Sequence, residues 1–143
     1  MHYFSKVADG LAAWLRYEMR CGRRPLFSED YLALPVAQLL RDHYPNRLVA
    51  QVKHPIIAKK REGTGRKPSI DFGVPFPVEA DEPKKTAKQY QLLVETKWLS
   101  KSNTLLRDII RDLLRLAMLI PEEADEGAVI VAGRRRNFES LFK

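Results

Sequence analysis

The run Gln89-Tyr90-Gln91-Leu92-Leu93-Val94-Glu95-Thr96-Lys97-Trp98-Leu99 puts a carboxylate and an amine two residues apart inside an apolar, β-prone segment. With no Gly or Pro inside it, this run predicts a strand from the centre of a sheet. Strand side chains alternate between faces, so Leu93, Glu95 and Lys97 share one face and Leu92, Val94, Thr96 and Trp98 the other. Two charged groups therefore stand on a face that should be dry. Burying them is costly unless they are paired or hold a metal.

Upstream, Lys67-Pro68-Ser69-Ile70-Asp71-Phe72-Gly73-Val74 is another strand-like run, in which Asp71 interrupts an apolar alternation. If the two strands are neighbours, Asp71 and Glu95 converge on a divalent cation, with the Thr96 carbonyl beside them and Lys97 reaching the same point. Hard cations such as Mg²⁺, or Mn²⁺ in its place, take oxygen ligands of this kind and keep several waters.

Asp71 followed by Glu95-Thr96-Lys97 resembles the motif of the PD-(D/E)XK nuclease superfamily, with Ile70 where the family name has proline. The resemblance implies a restriction-endonuclease-like α/β core at about residues 28–133 of a single domain: a mixed sheet of about four strands in the order α-β-β-β-α-β, flanked by helices. It implies a metal-dependent endonuclease that hydrolyses phosphodiester bonds, with DNA the expected substrate. Asp71, Glu95 and the Thr96 carbonyl would hold Mg²⁺ or Mn²⁺, and Lys97 would assist the attacking water. Many members also use a glutamate from the helix before the first strand. Glu29 opens that helix here, and Glu18 is the reserve; a solvent-facing acid in a first helical turn accounts for Glu29 equally well.

An E-x-K triplet alone carries little information, because Glu and Lys are common residues. An ordinary ion pair would explain Glu95 and Lys97, and a strand-end acid would explain Asp71. The signal lies in their placement within two apolar strands that an amphipathic helix follows.

The rest of the chain fits this order. Val7, Leu11, Trp14, Leu15 and Met19 recur at helical spacing in an extra N-terminal helix over about residues 4–21, and Gly22 offers a stop. Ser28-Glu29-Asp30 reads as an N-cap with a first turn of acids, and Pro35 predicts a late start or a kink in the helix that runs to about His43. A first strand follows over Arg47–Lys53. Pro75 to Lys88 reads as a long loop. Ser102-Asn103-Thr104 offers caps for an amphipathic helix to about Ile120, with Arg107, Asp108, Arg111, Asp112 and Arg115 as its polar stripe. Gly127 to Gly133 is all apolar, as in a parallel strand covered on both faces.

The 143 residues carry a formal charge of +7, which points to an anionic partner, with nucleic acid the commonest for a basic domain. Lys59, Lys60, Arg61, Arg66 and Lys67 crowd a turn-like stretch before the Asp71 strand, and Arg134, Arg135 and Arg136 follow the last strand. Both clusters are candidates for backbone-phosphate contacts, although a solvated charge run explains them as well. The single Cys21 excludes an internal disulfide and a cysteine-based zinc site, and His2, His43 and His54 lack ligand spacing. No apolar run is long enough to span a membrane, and acids and a Trp interrupt the N-terminal segment, so no membrane partner and a cytoplasmic location are expected.

The alternative from another class is a catalytically inactive nucleic-acid-binding or regulatory module on the same fold. It would show salt-sensitive binding without cleavage. A scaffold whose amphipathic helix forms a dimer face is a third reading, and a homodimer also suits an enzyme that must cut two strands.

Overall fold

A computed structural model describes residues 2–53, 69–77, 88–100 and 105–141. The sheet has four strands in the order β1 (Val49–Lys53), β2 (Ser69–Pro75), β3 (Tyr90–Leu99) and β4 (Ala124–Gly133). β1 and β2 pair antiparallel, as do β2 and β3, whereas β3 and β4 are parallel. Helices α1 (His2–Arg20) and α2 (Glu29–His43) precede the sheet, α3 (Leu105–Ala117) lies between β3 and β4, and a short α4 (Arg135–Leu141) follows. The chain is thus an α/β protein whose open mixed sheet is flanked by helices.

Each face of the sheet carries its own core. Leu92 and Val94 of β3 pack with Phe72 and Val74 of β2 against Leu32, Val36 and Leu40 of α2 and Leu11 of α1. On the other side Leu93, Ile70 and Val52 meet Leu116 and Leu119, at and just beyond the end of α3. The period-two reading of β3 predicts this split between Leu93 and its neighbours Leu92 and Val94.

Strand β2 does not alternate throughout. Ile70 and Phe72, two residues apart, join opposite cores, so the pleat breaks at Asp71. Gln51 lies opposite this break, between the pairs Ala50↔Phe72 and Val52↔Ile70, with a left-handed φ of 62° at Asn46 before the strand and 54° at Gln51 itself. A non-glycine residue at positive φ within a strand is a local distortion, and here it leaves the β1–β2 register unchanged on either side. Gln51 accepts a hydrogen bond from the Ser69 hydroxyl at 2.8 Å across the edge pair.

Several sequence expectations are corrected. Helix α1 buries Glu18 and leaves Met19 47% exposed, so the stripe continues through Glu18. The α1 stop holds: Gly22 has φ 75°, and the Arg23 N–H donates to the Glu18 carbonyl at 3.0 Å. Helix α2 starts at Glu29 and runs through Pro35 without waiting for it. Proline removes one backbone donor, and Ser28, which accepts from the Tyr31 N–H at 3.1 Å, secures the first turn. Strand β4 begins at Ala124 and forms a half-exposed edge, because among the described residues it pairs with β3 alone. The tail after β4 forms α4, tied back by Asn137 Nδ2, which donates to the Leu99 carbonyl at 2.6 Å.

Helix α3 is oriented by charge as much as by apolar packing. Leu106, Ile110, Leu113, Leu114 and Met118 are 44–61% exposed, whereas Asp112 is 2% exposed and faces the sheet. Residues 78–87 and 101–104, read as a loop and as helix caps, lie outside the described residues.

Candidate active site

Strand pairing puts the two acids side by side. The β2–β3 register runs to Phe72↔Val94 and ends there, which leaves Asp71 beside the Glu95–Thr96 step of β3, close enough for the two acids to feel each other's charge. At the break in β2 the Asp71 carboxylate reaches across to β3. Its Oδ2 accepts from the Thr96 backbone N–H at 2.8 Å and from the Thr96 hydroxyl at 2.6 Å. A side chain thus supplies an acceptor where a backbone carbonyl would ordinarily sit.

Glu95 is 5% exposed, and among the described residues its Oε1 has no hydrogen-bond partner. Burial pushes its pKa up to about 8, the negative charges of Asp71 and Asp112 adding to the rise while Arg115 opposes it. A buried carboxylate oxygen with spare lone pairs beside a second carboxylate is a site short of positive charge. A divalent cation would supply that charge. Asp71, Glu95 and the Thr96 carbonyl are hard oxygen donors of the kind Mg²⁺ and Mn²⁺ take, so the residues fit such an ion. No group of three or more His, Cys, Asp or Glu side chains arranged to hold a metal occurs among the described residues. A cation held here would therefore keep several water ligands.

Lys97 stands two residues along the same face and is paired twice. Its Nζ lies 3.0 Å from Glu29 Oε2 and 3.1 Å from Asp112 Oδ2. Burial works against its charge, but hydrogen bonds and charges from Glu29 and Asp112 prevail and hold its pKa above the usual lysine value. Glu29 reaches Lys97 because an aromatic cluster pins the start of α2 to β3. Phe27 meets Trp98 edge-on at 5.4 Å and Tyr31 at 5.7 Å, and Tyr31 stacks on Trp14 at 5.2 Å. Such pairs hold a helix start firmly.

Comparison of the chain with protein-family models, curated proteins and solved structures finds no match. The site therefore rests on its own geometry.

That geometry includes two residues of the α3 polar stripe to which the sequence alone assigns no role in the site. Asp112 holds Lys97 on one side and, through Oδ1, Arg115 Nη1 at 3.2 Å on the other. Arg115 also donates from Nη2 to the Ser69 carbonyl at 2.9 Å and lies 3.6 Å from Glu95 Oε1. The signal was the i, i+3 spacing of Asp112 and Arg115, but a stripe of charges does not say whether it faces water or a buried acid.

The remaining candidates lie elsewhere. Glu18 is not at this site: Tyr31 Oη donates to its Oε2, and Arg23 Nη1 lies 2.8 Å from its Oε1. The tyrosine hydrogen bond and the arginine hold its pKa below the usual carboxylate value although burial opposes them. Arg134 is exposed, and Arg135, with its side chain 92% exposed, pairs with Glu139 at 2.8 Å. Lys59, Lys60, Arg61, Arg66 and Lys67 lie outside the described residues. A cavity of about 410 Å³ between α1 and β4 is lined by apolar residues such as Val7, Leu11 and Ile130 and shares none with the acidic cluster.

Proposed function

We propose that this chain is a metal-dependent nuclease of the PD-(D/E)XK type on a restriction-endonuclease-like fold, hydrolysing phosphodiester bonds with DNA as the expected substrate. One observation carries the reading: Asp71, bonded to Thr96 across adjacent strands, lies beside Glu95, and Lys97 follows with Glu29 held against it. A buried Glu95 beside the half-buried Asp71 is costly for stability alone, which favours a chemical role for the pair.

In this reading Asp71, Glu95 and the Thr96 carbonyl hold Mg²⁺ or Mn²⁺. When bound, the ion lowers the pKa of a coordinated water and offsets charge on the attacked phosphate. Thr96 fixes Asp71 through two hydrogen bonds, so one carboxylate oxygen keeps its aim. Lys97 brings a permanent positive charge that orients water and stabilises charge developing on the phosphate. Glu29 and Asp112 position the lysine.

A second reading is favoured by one specific feature. Both Glu29 and Asp112 engage Lys97, which suits a module that binds nucleic acid through its net positive charge without turning it over. Plasmid, linear, single-stranded and branched DNA together with RNA, each incubated with Mg²⁺ or Mn²⁺, separate the two. The nuclease reading expects metal-dependent cutting that Asp71→Ala abolishes; salt-sensitive binding with no cutting of any substrate would replace it with the binding module.

A further inference from the structure

Arg115 is anchored by groups other than the acid it faces. Asp112 Oδ1 holds Nη1 at 3.2 Å and the Ser69 carbonyl accepts from Nη2 at 2.9 Å, whereas Glu95 Oε1 is 3.6 Å away, beyond hydrogen-bond reach. Asp112 is 2% exposed and belongs to α3, and Ser69 opens β2, so the guanidinium bridges a helix and a strand above the acid pair. A guanidinium keeps its charge at any pH a protein tolerates. A fixed positive charge is therefore built in beside an oxygen that has lone pairs left over.

We propose that Arg115 is the resident counter-ion of Glu95 and sets the site's affinity for a divalent cation by competing with it for the same negative field; this rests on the reading of Asp71 and Glu95 as metal ligands. The physical basis is Coulombic. Charges a few ångströms apart in a partly buried site interact far more strongly than in water, and an incoming cation is repelled by the arginine as it is attracted by the acids. Asp112 is the positioning residue of the arrangement. It draws both Arg115 and Lys97 toward α3, and without it the guanidinium is released toward Glu95.

The two residues therefore have opposite effects on metal affinity although neither is a ligand. Calorimetric titration of the whole chain with Mn²⁺ at fixed ionic strength reads this directly, without nuclease activity. Arg115→Gln is expected to bind Mn²⁺ about tenfold more tightly than the parent. Arg115→Lys, which keeps the charge, is expected to stay within about threefold of the parent, and Asp112→Asn to bind about tenfold more weakly. A purely structural role for Arg115 predicts weaker binding in the Gln variant, and equal or weaker binding with an unchanged circular dichroism spectrum overturns the proposal. If Arg115→Gln fails to fold, Asp112→Asn decides the matter, because unchanged affinity there also overturns it. Parent binding that Asp71→Ala leaves intact overturns the underlying metal site as well, as does an absence of saturable binding in the parent and every variant.

Discussion

The carboxylate of Asp71 stands in for a backbone acceptor opposite Thr96, taking hydrogen bonds from both its N–H and its hydroxyl. It does so where the β2 alternation breaks, so one residue both continues the pairing of β2 with β3 and carries one of the two acids. Asp71→Asn keeps the shape and loses the charge. The variant should remain folded, with unfolding free energy lower by about 1–3 kcal/mol, the loss expected when charge-assisted hydrogen bonds are weakened. Metal-dependent cleavage should fall to background. Urea unfolding followed by circular dichroism, alongside plasmid cleavage, checks both halves.

Lys97 is the shared partner of Glu29 and Asp112, so its removal affects stability and chemistry differently. In Lys97→Met the buried Asp112 retains Arg115, and the fold should survive with a loss of roughly 1–3 kcal/mol. Turnover should drop by about 10²-fold or more, the scale seen when one group that stabilises transition-state charge is removed. Calorimetry should still detect Mn²⁺. A variant that cleaves as fast as the parent would remove Lys97 from the mechanism.

The Glu95 carboxyl, raised to about 8, gives stability a definite pH dependence. Its folded-state pKa lies above its unfolded value, so the folded state binds the proton more tightly. The stabilisation is complete below about pH 4.5 and is lost as pH rises through about 8. At 1.36 kcal/mol per unit the difference is on the order of 3–5 kcal/mol. Glu95→Gln mimics the protonated form and should flatten this slope, becoming more stable than the parent at alkaline pH. Denaturant midpoints at pH 5.5 and pH 9 measure it, and equal slopes in parent and variant would contradict the assignment.

Gly73 sits where β1, β2 and β3 press together. A Cβ there would lie 2.7 Å from Val52 Cγ2 and 2.9 Å from Tyr90 Cε1. Gly73→Ala should therefore cost about 1–3 kcal/mol through overpacking. Because Gly73 is paired with Leu93, two steps from the acid pair, cleavage should fall along with the unfolding midpoint. Differential scanning calorimetry reads the stability half.

Much of the fold was legible because it rests on local rules. The period of two in β3 separates Leu93 from Leu92 and Val94, Gly22 ends α1, Ser28 caps α2, and a helix between the last two strands makes them parallel. These depend on steric and hydrogen-bonding demands a few residues wide. Glu18, the reserve for the helix glutamate, shows the limit of local rules: its partners Tyr31 and Arg23 are brought to it by the α1–α2 packing and the turn between them.

The sequence by itself determined the element order, the two faces of β3 and the presence of Asp71, Glu95 and Lys97 on neighbouring apolar strands. Only the tertiary structure decided which charges meet. The pairing of β2 with β3 brings Asp71 beside Glu95, the aromatic cluster delivers Glu29 to Lys97, and the roll of α3 turns Asp112 and Arg115 toward the sheet while Leu106, Ile110 and Leu114 face outward. An amphipathic pattern fixes which residues share a helix face. Which face turns inward depends on a balance of apolar burial against pairing with Glu95 and Lys97, which belong to a different element, β3.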